Sequence, residues 1–139
     1  MIVIICIDEK KGMMFHNRRQ SQDRILREHI IKECKGRKLY MNPYSYHMFK
    51  QNQDASIVVS EHFLEQAGTE AYCFVENQNI CHYLDKIQEI VLYQWNRHYP
   101  ADTYFTVDLS DGNWDLVRTE EFKGSSHEKI TREVYKKIR

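Results

Sequence analysis

The sequence predicts a three-layer α/β fold, in which helices flank a central, mixed but mostly parallel sheet. A continuous apolar run at Ile2–Ile7, mostly β-branched, is typical of a strand that is buried on both faces. Short apolar runs then alternate with helical patterns over the first two-thirds of the chain, which favours parallel strands. The length of 139 residues suits one domain, and we expect residues 1–139 to form it.

Five strands and an edge strand are predicted from short apolar runs, each with turn-forming residues on either side. The segment that follows the first run, Asp8-Glu9-Lys10-Lys11-Gly12, is polar and ends in glycine, as expected of a turn. In chain order, the strands are expected at Ile2–Ile7, Lys38–Met41, Ser56–Val59, 71–75 and 90–95, and the edge strand at 114–117.

The first helix is predicted over residues 22–34. Leu26, Ile30 and Cys34 recur at intervals of four, so they share one apolar helix face. A cap is expected at Ser21 or Asp23, and Gly36 is the expected end of the helix.

A second helix is predicted to start at Asn42-Pro43, with asparagine as N-cap and proline at the first helical position. A helical turn is expected at 61–66, ended by Gly68.

The C-terminal segment 127–139 has two interpretations. Ser125 to Glu128 has a capping-box pattern, and Ile130, Val134 and Ile138 have helical spacing, so a helix is one alternative. A final strand is the other, and the residues alone leave the choice open.

Composition limits the function classes. Twenty basic and twenty acidic residues give a formal net charge of zero, which disfavours broad nucleic-acid binding but leaves a local basic patch open. The apolar run at Ile2–Ile7 is far too short to span a membrane. Four cysteines without close pairing are expected to be reduced, buried thiols of a cytoplasmic protein; they are Cys6, Cys34, Cys73 and Cys81. No metal-binding spacing is present among the seven histidines.

The N-terminal third resembles the dihydrofolate reductase family. The stretch MIVIICIDEKKGMMFHN, followed by GRKLYMNPYSY, is similar to that family's opening strand, active-site loop and second strand, with Asn17 and Gly36 at the family spacing. Further along, PADTYF at 100–105 and DGNWDLV at 111–117 resemble family motifs in the same order. The resemblance implies a dihydrofolate reductase-like fold shortened by deletions, with Glu133-Val134-Tyr135 in a final antiparallel strand.

The same alignment places unsuitable residues at the reductase positions. Leu26 stands where the family has its catalytic carboxylate, and a hydrocarbon cannot deliver a proton. Ser21 replaces a tryptophan, and Gln20 and Arg24 replace two prolines. Asp23 or Glu28 would supply a carboxylate only if the alignment slipped.

The nucleotide-binding motifs are also altered. Glu76-Asn77 replaces the Gly-Gly peptide that lets pyrophosphate approach a helix in the family. Asn42-Pro43-Tyr44-Ser45 replaces the phosphate-gripping Gly-Arg-x-Thr, and 50–54 replaces the loop that holds folate's carboxylate. The resemblance therefore implies a divergent, compacted pseudoenzyme without the reductase chemistry and without a cofactor.

Three loops that lie together beside the family pocket supply the candidate site. They carry guanidinium, imidazole and hydroxyl groups, which suit a phosphate or carboxylate. The predicted anion-binding residues are Arg18, Arg19, Gln20, Ser21, Gln22, Asp23, Arg97, His98, Ser125, Ser126 and His127. Trp95 or Tyr44 is the expected platform for stacking a base.

The favoured hypothesis is a non-reductase that binds a small anionic or nucleotide-like ligand, or a partner, in the remodelled pocket. The first alternative is an enzyme, either a divergent NADPH-dependent reductase or a ribonuclease-like phosphodiester hydrolase that uses an Arg/His cluster. The second is a protein-interaction module. The sequence identifies neither the ligand nor the oligomeric state.

Overall fold

A computed structural model describes residues 1–51 and 56–138, and its centre is a seven-stranded sheet with helices on both faces. The strand order is β5-β4-β6-β1-β7-β10-β9. The strands of this sheet are β1 (Ile2–Ile7), β4 (Lys38–Met41), β5 (Ser56–Val59), β6 (Tyr72–Phe74), β7 (Glu89–Gln94), β9 (Trp114–Phe122) and β10 (Ile130–Lys137).

The central position of β1 explains its unbroken apolar sequence. It pairs in parallel with β6 on one side and β7 on the other, with Ile4 opposite both Phe74 and Val91. Since both faces are covered, every residue of β1 except half-buried Cys6 is buried. β4 and β5 continue the parallel part, whereas β10 is antiparallel to β7 and β9. The predicted mixed, mostly parallel three-layer α/β fold is therefore confirmed.

The first two helices begin at residues that capping chemistry favours. α1 spans Arg24–Glu33, with Asp23 as its N-cap, and so is shorter than the predicted 22–34. α2 spans Pro43–Phe49; the side chain of Asn42 accepts from the amide of Ser45, as an N-cap should. The remaining turns are α3, Phe63–Gln66, and a 3₁₀ helix, Cys81–Lys86. No helix among residues 1–51 and 56–138 is long and apolar enough to cross a membrane.

Each face of the sheet has its own apolar core. One core contains Ile5, Phe63 and Leu92, and the opposite core contains Leu26, Ile30 and Tyr93. Leu26 and Ile30 are both essentially inaccessible, so the helix face predicted from their spacing is the one that packs on the sheet.

In the C-terminal part, the final antiparallel strand that the resemblance implied is present, and the edge strand is longer than expected. The segment after His127 is a strand, in which the buried residues Ile130, Arg132 and Val134 alternate with less buried ones at period two. The expected edge strand at 114–117 continues to Phe122, since β10 pairs with it along nearly its whole length.

The cysteines are less uniformly buried than expected. Cys34 and Cys73 are buried, but Cys6 is half-buried and Cys81 is exposed, so the expectation of four buried thiols was wrong. Cys81 opens the 3₁₀ helix on the surface. The expected loss of the folate-holding loop at 50–54 falls largely on residues 52–55, outside the described residues.

A small second sheet lies beside the carboxyl end of β1. It consists of β2 (Gly12–Phe15), β3 (Arg18–Arg19) and β8 (Thr103–Tyr104), in the order β3-β2-β8. His16 and Asn17 form its tight turn with positive φ angles of 50° and 61°. This hairpin carries Arg18 and Arg19 to the end of the sheet where α1 begins.

Candidate functional site

Asp23 is the residue around which the site is built. Its carboxylate caps α1 by accepting from the amide of Leu26 at 3.1 Å. It also accepts from the amides of Ser125 and Ser126, at 3.0 and 2.9 Å, which belong to the loop between β9 and β10. A Cβ on Gly124 would collide with this carboxylate, so glycine is required where the loop passes over it. One buried carboxylate therefore joins two segments that lie about a hundred residues apart.

The charge on Asp23 is stabilised by these donors. Burial alone would raise the pKa of Asp23, but hydrogen bonds from Ser126, His127, Ser125 and Leu26 outweigh it and hold the pKa well below its usual range. The ionised carboxylate only accepts hydrogen bonds. The Nδ1 of His127, 3.0 Å from the carboxylate, is therefore the donor, and this leaves Nε2 as an acceptor in the neutral ring.

Two hydroxyl groups meet at that second nitrogen of His127. The Oγ of Ser21 and the phenol oxygen of Tyr99 each lie 3.0 Å from Nε2, and they are 3.4 Å from one another. The ring of His127 is stacked on Trp95 with centroids 4.5 Å apart, and its side chain is only 2% exposed. Because stacking and two hydrogen-bonded nitrogens fix the imidazole, its Nε2 faces Ser21 in a single orientation.

A second polar network fills the neighbouring space. The guanidinium of Arg19 donates to both carboxylate oxygens of Glu76, at 2.8 and 3.0 Å, and it lies over the ring of Tyr44 at 4.5 Å. The hydroxyl of Ser45, in the first turn of α2, donates to the same carboxylate at 2.7 Å. Glu76 is thus a buried anion with three donors around it.

A small cavity separates the two networks. It measures about 20 Å³, which is room for roughly one water molecule. Ser21, Asp23, Leu26, Arg19 and Glu76 are among its lining residues. The interior at this end of the sheet is therefore largely filled by the protein's own side chains.

A larger, open groove lies outside this cavity, and we call it the outer groove. It measures about 480 Å³ and shares Arg19 and Gln20 with the inner cavity. Its lining is cationic and aromatic, without a carboxylate among the described residues; it consists of Phe15, His16, Arg18, Arg19, Gln20, Tyr99 and Pro100. Asp102 lies beside it, where its carboxylate accepts from the amide of His16 at 3.1 Å.

Asp8 holds the walls of the outer groove in place. Its buried carboxylate accepts from the side chain of Gln20 at 3.0 Å and from the amides of Gly12 and Tyr99, at 2.8 and 3.1 Å. Burial would raise the pKa of Asp8, but these hydrogen bonds, with one from Lys10, lower it overall. A side chain on Gly12 would meet both Gln20 and Ala101, so the close approach of these segments requires glycine.

The predicted site residues separate into three groups. Ser21, Asp23, Ser125, Ser126 and His127 come together in the Asp23 network. Arg18, Arg19 and Gln20 line the outer groove. Gln22, Arg97 and His98 do not line it: Gln22 accepts from Arg27 at 3.1 Å, Arg97 is exposed, and the ring of His98 is 3.9 Å from Asp8. Whether any of these residues binds a ligand stays a prediction.

The two predicted stacking platforms are already covered by protein groups. Trp95 is buried against the ring of His127, and Tyr44 lies beneath the guanidinium of Arg19. Phe15, which is 38% exposed and packs on His16 with centroids 4.0 Å apart, offers an aromatic surface at the groove instead.

Three hydrogen-bonding partners in these networks were not predicted from the sequence. They are Tyr99, Glu76 and Asp8. Each has at least one partner between 12 and 91 positions away, and local spacing carries no signal for such contacts. The polar turn after β1 was the one indication that pointed to Asp8.

One cluster elsewhere has the composition of a metal site. Ligand atoms of His29, Glu33 and Glu120 lie within 4.8 Å of one another. However, Arg132 binds both carboxylates, at 3.2 Å from Glu33 and 2.7 Å from Glu120, and Tyr93 is hydrogen-bonded to the Nδ1 of His29 at 2.8 Å. A cation would have to displace that guanidinium, so the cluster fits a satisfied ion-pair network better than a metal centre.

Comparison with known proteins supports the fold. No protein-family model matches the chain, and no curated protein matches its sequence. Among solved structures, a dihydrofolate reductase from Enterococcus faecalis, complexed with NADP(H) and RAB-propyl, is similar with a TM-score of 0.68. The match covers 99% of this chain and 96% of that one at 9% sequence identity. The chain therefore has a dihydrofolate reductase-like fold.

Proposed function

We propose that this chain is a non-reductase on the dihydrofolate reductase-like fold, and that it binds a small anionic or nucleotide-like ligand in the outer groove. The observation that carries the proposal is the lining of that groove. His16, Arg18 and Arg19 converge there beside Phe15 and Tyr99, without a lining carboxylate in the part of the chain that the structure describes.

Arg18 is the residue best suited to hold the ligand. It is exposed at the end of the β2–β3 hairpin, and it forms no ion pair with the described carboxylates. A guanidinium presents several donors in a fixed fork that matches phosphate or carboxylate oxygens. Since Arg19 is already engaged by Glu76, Arg18 is the guanidinium in the groove that can turn toward an incoming anion.

The aromatic groups of the outer groove are the reason to propose a nucleotide-like ligand. Phe15 presents a partly exposed ring next to these cations, and a base or other flat ring stacks on such a surface. A groove of about 480 Å³ is within the size range of small-molecule sites.

Three features argue against reductase chemistry. Leu26, at the position that resembles the family's catalytic carboxylate, is 1% exposed and packs in the apolar core. Glu76, at the position of the Gly-Gly peptide, places a side chain that is ion-paired with Arg19 where the family offers bare backbone to pyrophosphate. Pro43 removes an amide donor from the start of α2.

Two expectations from the sequence accompany the proposal. We take residues 1–139 as one domain, because both apolar cores pack on the same sheet. We also place the protein in the cytoplasm, where its four free cysteines would remain reduced.

A thermal-shift screen tests the proposal. Inorganic pyrophosphate, nucleotides and sugar phosphates should raise the melting temperature, because ligand at about 100 times Kd adds roughly 2.7 kcal/mol to the free energy of unfolding. Arg18→Ala should weaken binding of the same compound by about 1.5–3 kcal/mol. Arg118→Ala is the control, since Arg118 is equally cationic and exposed but belongs to β9, on the outer edge of the sheet.

The same screen separates the alternatives. A flat response to every anion would sink the ligand hypothesis and favour the protein-interaction module. Equal weakening by Arg18→Ala and Arg118→Ala would mean that only the overall charge matters. Arg97→Ala adds one further comparison: it should leave binding unchanged if the ligand stays within the outer groove, and weaken it if the site extends along the loop after β7.

A further inference from the structure

Ser21, His127 and Asp23 have the arrangement of a nucleophile, a general base and the carboxylate that orients the base. Ser21 Oγ is 3.0 Å from Nε2 of His127, and Nδ1 of the same ring is 3.0 Å from Asp23. Such a constellation is identified by geometry and roles rather than by order in the chain, and it recurs on unrelated folds. We propose that Ser21 is the nucleophile of a serine esterase site that hydrolyses carboxylic esters with a short acyl group.

The electrostatics of the ring suit that role. Because Asp23 is an ionised acceptor, it fixes the proton of the neutral imidazole on Nδ1 and leaves the lone pair of Nε2 toward Ser21. The same carboxylate stabilises the imidazolium that forms when His127 takes a proton. Asp23 is thus the positioning residue, and its own donors keep it ionised.

Ser21 is less buried than the two residues that would activate it. Whereas Asp23 and His127 are buried, Ser21 is half-buried and lines the inner cavity. Arg19 and Arg27 line the same cavity, together with Glu76, which pairs with Arg19. Arg27 is therefore the lining cation that we assign to stabilise the negative charge that develops on a carbonyl oxygen under attack. The cavity of about 20 Å³ has room for roughly one water molecule, so even an acyl group as small as acetyl enters only when the lining side chains move.

The reaction then proceeds in two balanced steps. Ser21 Oγ forms a bond to the ester carbonyl carbon while its proton passes to Nε2 of His127. The bond to the leaving oxygen breaks as His127 returns that proton to it, and this releases the alcohol and leaves an acyl-Ser21 ester. A water molecule attacks the acyl carbon, gives one proton to His127, and releases the carboxylic acid as the proton returns to Ser21.

Tyr99 limits the activity of the resting site. Its hydroxyl is 3.0 Å from Nε2 and 3.4 Å from Ser21 Oγ, and when its single proton points to Nε2 it occupies the lone pair that Ser21 needs. Tyr99 also lines the outer groove. A variant that lacks this hydroxyl leaves Ser21 as the partner of Nε2.

Covalent labelling tests the nucleophile directly. The full chain is treated with an uncharged alkyl fluorophosphonate, which modifies serines activated by a neighbouring base, and the adduct is mapped by mass spectrometry of peptides. We expect one adduct, at Ser21, among the seven serines of the chain. The exposed Ser110 is an internal control, because it contacts Asp108 and no histidine. An unmodified Ser21, or modification spread equally over surface serines, would overturn the proposal.

Two variants sharpen the test. Ser21→Ala should abolish the adduct, and Ser110→Ala should leave it. Tyr99→Phe keeps the aromatic ring and so preserves packing, and it should raise the labelling rate several-fold. A rate that Tyr99→Phe leaves unchanged or lowers would show that Nε2 is not the base for Ser21.

Turnover tests the substrate class. p-Nitrophenyl acetate should be hydrolysed, and Ser21→Ala should reduce the rate by about 100-fold or more toward the background. p-Nitrophenyl octanoate should react at least about tenfold more slowly than the acetate. Acetate hydrolysis that survives Ser21→Ala would contradict the proposal. Because these probes carry no charge that needs the arginines, the result is independent of anion binding in the outer groove.

Discussion

Arg19 illustrates how much the role of a single residue depends on its partners. Its place in a polar loop would predict an exposed side chain whose removal changes stability by less than about 0.5 kcal/mol. In the structure, its side chain is 20% exposed, donates twice to Glu76 and covers Tyr44. Its main contribution is therefore to compensate the charge of a buried carboxylate, whereas the neighbouring Arg18 pairs with no described carboxylate.

We predict that Arg19→Ala lowers the free energy of unfolding by about 2–4 kcal/mol, because Glu76 then keeps a buried charge with fewer donors. Glu76→Gln in the same background should recover part of this loss, since it removes the unpaired charge. Arg18→Ala is the matched control and should cost under about 0.5 kcal/mol. Chemical denaturation of the natural chain, Arg19→Ala, Glu76→Gln and the double variant measures the cycle, and strict additivity of the two substitutions would contradict the pairing.

At the scale of elements, the decisive contact joins the start of α1 to the loop between β9 and β10. The carboxylate of Asp23 accepts hydrogen bonds from backbone amides of both segments, so it caps the helix and also anchors the loop. Gly124 is buried at the closest approach and donates from its amide to the carbonyl of His127 at 2.9 Å. The position of His127, and with it the geometry at Ser21, depends on this junction.

Gly124→Ala should therefore destabilise the protein by about 1–3 kcal/mol, as overpacking next to a buried group does. Gly68→Ala is the control, because a Cβ there meets no atom within 4 Å, and it should be neutral or stabilise by up to about 1 kcal/mol. Thermal unfolding compares the two variants. A Gly124→Ala protein as stable as Gly68→Ala would mean that the loop does not rest on Asp23 as described.

At the scale of the whole molecule, the same fold forms from a very different sequence. The mostly parallel sheet, its antiparallel C-terminal pair and the helices on both faces are like those of a dihydrofolate reductase at 9% identity. At the carboxyl end of β1, Leu26 lies in the apolar core and Glu76 is paired with Arg19. Fold and function are separable in this way because the core depends on apolar pattern and volume, while a site depends on a few polar groups.

The protein should neither bind NADPH at micromolar concentration nor oxidise it with dihydrofolate. Leu26→Asp should not create this activity, and it should cost about 2–5 kcal/mol of stability, because it places a charge among apolar side chains. Leu26→Met is the control and should cost less than about 1.5 kcal/mol. Calorimetric titration and an absorbance assay measure both properties, and turnover by either the natural chain or Leu26→Asp would refute the non-reductase assignment.

The sequence by itself determined the elements whose signals are local. The unbroken apolar run specified β1, the Asn42-Pro43 cap specified the start of α2, and the spacing of Leu26 and Ile30 specified the buried face of α1. These signals work because strand alternation, helix periodicity and capping act between residues only a few positions apart. The choice between strand and helix after His127 was not local, because it depended on whether β7 and β9 offered partners for pairing.

The tertiary structure alone decided the site. Several predicted polar residues do come together, but the hydrogen bonds that give them roles join positions 106 residues apart, between Ser21 and His127, and 57 apart, between Arg19 and Glu76. The tertiary structure placed Arg97 and His98 outside the outer groove, and it brought the hydroxyl of Tyr99 against the ring of His127. The physical reason is that a hydrogen bond requires an atom-to-atom distance near 3 Å, and residue order along the chain does not encode such a distance until the sheet has assembled.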